Sequence, residues 1–120
     1  MAPLISFDID GTLEAGDPPG RITMAMVRRA IELGYIVGSA SDRTIPVQKS
    51  IWEKHGIVVQ FVTNKHHLGE VRAQFPADEY KHIGDTNIDE MYARMNGFDY
   101  LDVAIHRDEP WMFLEGDSRP

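Results

Sequence analysis

The chain has 120 residues, of which 42% are hydrophobic and 26% charged, enough for one compact domain with a real core. It has no cysteine, which excludes disulfides and thiolate metal sites, and its net charge of −7 leaves no basic excess for a nucleic-acid backbone. No apolar run is long enough to cross a bilayer and no basic, apolar leader opens the chain, so a cytoplasmic protein without a membrane partner is expected.

Leu4 to Ile9 reads as a strand that Gly11 ends, and Glu14 to Gly20, rich in glycine and proline, as a loop. Met26, Val27, Ala30 and Ile31 recur at helical spacing within Thr23 to Leu33, with Gly34 in the stop position. Tyr35 to Ala40 is a buried strand. Ile45 to His55 is a helix with Thr44 as cap, Pro46 in its first turn and Gly56 as its stop. The β-branched run Ile57 to Thr63 predicts a third strand. A helix over His67 to Phe75, a strand over Tyr80 to Ile83, a helix over Ile88 to Met95 and a strand over Phe98 to Ile105 follow. Asn87 with Glu90 is the expected capping box of the fourth helix, and Gly97 its stop.

Strands alternating with helices imply a single α/β domain, residues 1–120, built on a Rossmann-like parallel sheet with helices on both faces. Trp111, Met112, Phe113 and Leu114 in the tail are too apolar for water, and are expected to pack on the domain or on another copy in a homo-oligomer.

Ligands of open parallel sheets bind beyond the carboxyl ends of the strands. Asp8 and Asp10, Ser41, Lys65, and Asp85 with Asp89 fall at four such ends and would converge in space. Two acids as close as Asp8 and Asp10 repel one another and need a cation or a shared proton. Asp-Gly alone is only a turn signal, but the full Asp-x-Asp-Gly-Thr run after a buried strand is a far stronger pattern. Lys54 and Arg43 compete with Lys65 as the cation of the site. His66, His67 and Glu70 are not expected to form a joint metal site, because adjacent residues face different sides of a helix.

The segment Phe7-Asp8-Ile9-Asp10-Gly11-Thr12-Leu13 resembles the first signature of the haloacid dehalogenase superfamily of phosphohydrolases. Ala40-Ser41-Asp42-Arg43 resembles its second motif, Lys65 stands where its third-motif lysine belongs, and Gly84-Asp85-Thr86-Asn87-Ile88-Asp89 resembles its fourth. The likeness runs from Leu4 to about Val103; Asp42 departs from it, since the family often has glycine there.

The resemblance implies Asp8 as nucleophile, forming an aspartyl-phosphate that water cleaves, and Asp10 as general acid and then base. It implies Lys65 as the cation stabilising Asp8 and the phosphoryl group, and Ser41 as a phosphate donor. Gly11, Thr12 and backbone amides near Ile9 and Asp10 would help hold phosphate. Mg²⁺ would be held by the Asp8 and Asp85 carboxylates and the Asp10 backbone carbonyl, with Asp89 binding a metal water or orienting Lys65. One helix and a loop separate Asp10 from Ser41, so the likeness is to small members without a cap domain. The implied substrate is a phosphorylated small molecule or macromolecule. A phosphoryl-transfer enzyme of the same superfamily and a receiver-like signalling domain are the competing readings. A receiver carries its phospho-accepting aspartate after the third strand, where this chain has Thr63-Asn64-Lys65.

Overall fold

The structure, a computed structural model, describes residues 1–105; the tail residues Trp111–Leu114 lie outside them. It has five strands, β1 (Leu4–Phe7), β2 (Ile36–Ser41), β3 (Phe61–Asn64), β4 (Tyr80–Gly84) and β5 (Asp99–Asp102). Four helices alternate with them, α1 (Met24–Glu32), α2 (Ile45–Lys54), α3 (Leu68–Gln74) and α4 (Asn87–Met95), and a 3₁₀ turn over Lys65–His67 leads into α3. The strands form one parallel sheet in the order β3-β2-β1-β4-β5. This is the Rossmann-like α/β domain expected from the alternation. Neither the β1–β2 nor the β2–β3 interval holds more than loop and one helix.

The chain winds from β1 outward to β3, then crosses back to β4 on the other side of β1. Right-handed crossovers in opposite directions put the helices on opposite faces. Ile5, Phe7, Val37 and Ile83 accordingly pack with Val27, Ala30 and Trp52 of α1 and α2. Leu4, Ala40 and Phe61 pack with Leu68, Val71 and Ala93 of α3 and α4. The direction reverses between β1 and β4, and a crevice opens at the carboxyl ends of those strands.

Several boundaries depart from the sequence expectation for local reasons. β1 stops at Phe7 because the Thr12 and Leu13 amides fold back onto the Ile9 carbonyl. The expected third strand loses Ile57–Gln60: the Ile57 amide bonds Trp52 at the end of α2, and its side chain enters the core instead of a ladder. The capping box of α4 is Thr86 with Asp89, one residue earlier than Asn87 with Glu90, because Thr86 holds the extended backbone that a cap requires. β5 ends at Asp102, followed by a turn. No helix of the described residues is long and apolar enough to cross a membrane.

Candidate active site

Four strand ends surround one pocket, lined by Asp8, Asp10, Pro18, Ser41, Asp42, Lys65, Asp85, Thr86 and Ile88. Asp8 follows β1 and is 3% exposed; its amide donates to Ile83 of β4, which ties the two central strand ends together. Lys65 opens the 3₁₀ turn after β3 and is also buried. Its Nζ lies 3.6 Å from Asp8 Oδ1, 3.1 Å from Asp89 Oδ1 and 3.4 Å from Asp42 Oδ2. Of the three candidate cations, Lys65 is the one that lines the pocket. Lys54 ends α2 at the opposite pole, and Arg43 binds another partner.

Burial pushes the Asp8 carboxyl up to about 8, and the Asp89 charge adds to the rise against the opposing Lys65 and the Ile9 amide. Burial also disfavours the Lys65 ammonium, but Asp8, Asp89 and Asp42 outweigh it and hold the group above the ordinary lysine value. For Asp89 burial again opposes charge. The His82 hydrogen bond and the charges of His82 and Lys65, with Thr86, overcome it and bring the carboxyl down to about 2.

Both Asp89 oxygens are engaged internally. Oδ1 faces His82 Nε2 at 2.9 Å and Lys65 Nζ, while Oδ2 accepts from the Thr86 hydroxyl at 2.8 Å and its amide at 3.3 Å. These bonds hold Asp89 against Lys65 Nζ. Oxygens of Asp8, Asp85 and Asp89 nevertheless lie within 4.8 Å of one another, as a hard cation would require. Two glycines make room for this crowding. A Cβ on Gly11 would collide with the Asp85 carboxylate, and one on Gly84 with Asp89.

Asp10 sits at the pocket wall in a fork from Arg43, whose Nε and Nη2 donate to it at 2.8–3.1 Å, and also accepts the Asp17 amide at 2.8 Å. The Arg43 hydrogen bond holds this carboxyl below its ordinary value against burial. The Asp17 contact and the bond from the Gly11 amide to the Pro18 carbonyl fold the 14–20 loop against the site. Ser41 accepts the Arg43 amide, a bond that does not use its own hydroxyl hydrogen, and Asn64 Nδ2 pins this turn through the Ser41 and Arg43 carbonyls.

Two expected phosphate-binding residues stand elsewhere. Thr12 is fully buried with its hydroxyl unpartnered, its amide is taken by Ile9, and neither it nor Gly11 lines the pocket. Gly11 instead clears space for Asp85. The His66 and His67 rings meet at a tilt of 45° with centroids 4.1 Å apart, His67 pairs with Glu70, and neither borders the pocket.

Sequence reasoning missed three residues. Arg43, a candidate cation by sequence, forks Asp10 because β2 lies beside β1, a pairing that sequence spacing does not show. His82 looked like an ordinary strand residue. The Tyr100 hydroxyl donates to the carbonyls of Gly84 and Thr86, the two residues flanking Asp85, and so steadies that loop. No protein-family model, no curated protein and no solved structure matches this chain.

Proposed function

We propose that the protein is a divalent-metal-dependent phosphohydrolase that takes the phosphoryl group of a monoester onto Asp8 and passes it to water. The observation that carries this reading is the buried Asp8 carboxylate held between the Lys65 ammonium and the Asp85 and Asp89 carboxylates. A nucleophilic carboxylate must meet a dianionic phosphate, and crowded acids with a raised Asp8 need positive charge before that can happen. The all-oxygen donor set fits Mg²⁺, which Asp8, Asp85 and the Asp10 carbonyl would hold. When bound, it would screen the charge between carboxylate and phosphate.

The chain's own groups divide the remaining work. Lys65 Nζ, fixed by Asp89, faces the phosphoryl oxygens and offsets charge as it develops. The Ser41 hydroxyl donates to another of those oxygens. One Asp8 oxygen bonds phosphorus as the ester P–O bond breaks, and the leaving oxygen takes the proton of a protonated Asp10. Water then attacks the aspartyl-phosphate, gives a proton to Asp10, and releases inorganic phosphate with Asp8 restored. Arg43 keeps Asp10 as a carboxylate, which suits the second step directly. Serving as acid in the first step requires Asp10 to take up a proton against that grip.

The competing receiver-like reading has less support. In the flavodoxin-like order of receiver domains strand one lies between strands two and three, whereas here β1 lies between β2 and β4. β3 ends on Asn64 and Lys65 follows it, with no carboxylate to phosphorylate at either position.

Among the described residues the pocket is open and no domain covers it from the β1–β2 or β2–β3 connections, which suits the phosphate of either a small molecule or a macromolecule. The test is p-nitrophenyl phosphate turnover with and without Mg²⁺ in wild type and Asp8→Asn. Metal-dependent hydrolysis that Asp8→Asn abolishes is expected; full turnover in Asp8→Asn would remove the nucleophile assignment.

A further inference from the structure

Below the pocket, on the sheet face covered by α3 and α4, runs a line of buried polar groups that the proposed chemistry does not itself use. Ser6 of β1 and His82 of β4 are register partners on the two central strands, and both are fully buried. Ser6 Oγ and His82 Nδ1 are 2.9 Å apart, and His82 Nε2 is 2.9 Å from Asp89 Oδ1. Inner strands of a parallel sheet covered on both faces are ordinarily apolar. A buried imidazole and hydroxyl carry a desolvation cost that two aliphatic side chains would not. Their partners therefore indicate what they do.

An ionised carboxylate only accepts hydrogen bonds, so Nε2 must carry a hydrogen aimed at Asp89 Oδ1, and Nδ1 faces a hydroxyl able either to give or to accept. Oδ1 is the oxygen that also meets Lys65 Nζ, at 3.1 Å. Thr86 holds Oδ2 from the start of α4, so His82 and Thr86 fix the carboxylate at both ends. Lys65 Nζ in turn stands 3.6 Å from Asp8. The line runs unbroken from Ser6 to the pocket.

We propose that His82, oriented by Ser6, is a positioning residue that acts through Asp89 to hold the Lys65 ammonium beside Asp8. Its consequence for turnover rests on the phosphohydrolase reading; its effect on Lys65 does not.

The test compares His82→Gln, whose side-chain amide reaches the level of Nε2, with His82→Asn, whose shorter amide reaches only Nδ1 and keeps Ser6 while losing Asp89. Two quantities are measured in each folded variant: the solvent-exchange rate of the Lys65 ammonium by ¹⁵N NMR, and kcat and KM for p-nitrophenyl phosphate with saturating Mg²⁺. His82→Asn is expected to speed ammonium exchange and lower kcat by about 10- to 100-fold, the range for residues that orient a site ligand, with KM changed far less. His82→Gln is expected to restore most of both. Wild-type exchange and kcat in His82→Asn, or equal damage in the two variants, would overturn the proposal. If His82→Asn does not fold, Ser6→Ala decides, by a faster Lys65 exchange or by an unchanged one that overturns it. A wild type without phosphatase turnover would sink the phosphohydrolase reading, while the Lys65 exchange rates would still decide the role of His82.

Discussion

Each face of the sheet buries a polar network, and the two differ in a way that separates architecture from chemistry. Under α2, the Trp52 indole donates to Ser39 Oγ, the Ser39 hydroxyl donates to Gln48 Oε1, and Gln48 Nε2 donates to the Arg43 and Thr63 carbonyls. Every member is neutral and the network closes on backbone. Under α3 and α4, Ser6, His82, Asp89, Lys65 and Asp8 form a line that carries full charges and ends in the pocket. A closed neutral network repays its desolvation with hydrogen bonds and fixes the α2 packing. A charged one costs more than apolar packing would, so its retention points to work done at its open end.

Lys65→Met breaks the charged line next to its open end and should have the largest effect. It leaves the buried Asp89 carboxylate and the Asp8 carboxyl without their cation, costing about 3–5 kcal/mol of stability, and lowers kcat by about 10²–10³-fold. Denaturant melts at two pH values sharpen this: the loss should be smaller at pH 6, where Asp8 holds a proton, than at pH 9, where it is ionised beside Lys65.

Asp10→Asn separates the two proton steps. Alkyl phosphates, whose leaving group needs a proton, should lose about 10²-fold more in the first step than aryl phosphates. Pre-steady-state comparison of the two substrates checks it, and equal losses would remove Asp10 from the first step.

On the neutral face, Gln48→Leu should cost about 1–3 kcal/mol, because Ser39 and two carbonyls lose their partners, while kcat stays within about threefold. A large loss of kcat without loss of stability would erase the distinction between the two networks.

The last prediction is a pH dependence. The folded Asp8 carboxyl stands near 8 against 3.8 for its ordinary value, so between those values the folded state holds a proton that the unfolded chain has released. Stability without metal therefore falls as pH rises through this window, and metal binding must displace the proton. Mg²⁺ should raise Tm more at pH 8 than at pH 6, and Asp8→Asn should flatten that difference.

The alternation of strands and helices was legible because hydrophobic period is a local property, and the strand ends carrying Asp8, Ser41, Lys65 and Asp85 were placed with it. What depended on register was not legible. Ser6 and His82 are 76 residues apart and meet only because β1 and β4 are neighbours in one particular alignment. The Arg43 fork on Asp10 likewise needs β2 beside β1. Ile57 misled because a β-branched residue suits a core contact beside α2 as well as a ladder. Thr12 looked like part of a phosphate loop, yet its turn points it inward.

The central claim is that Asp8 becomes covalently phosphorylated. Acid quenching during turnover of p-nitrophenyl phosphate with Mg²⁺, followed by peptide mapping, tests it directly. A phosphoryl group on Asp8 that is absent in Asp8→Asn is the predicted result; an adduct on another residue such as Ser41, or sustained turnover by Asp8→Asn, would contradict it.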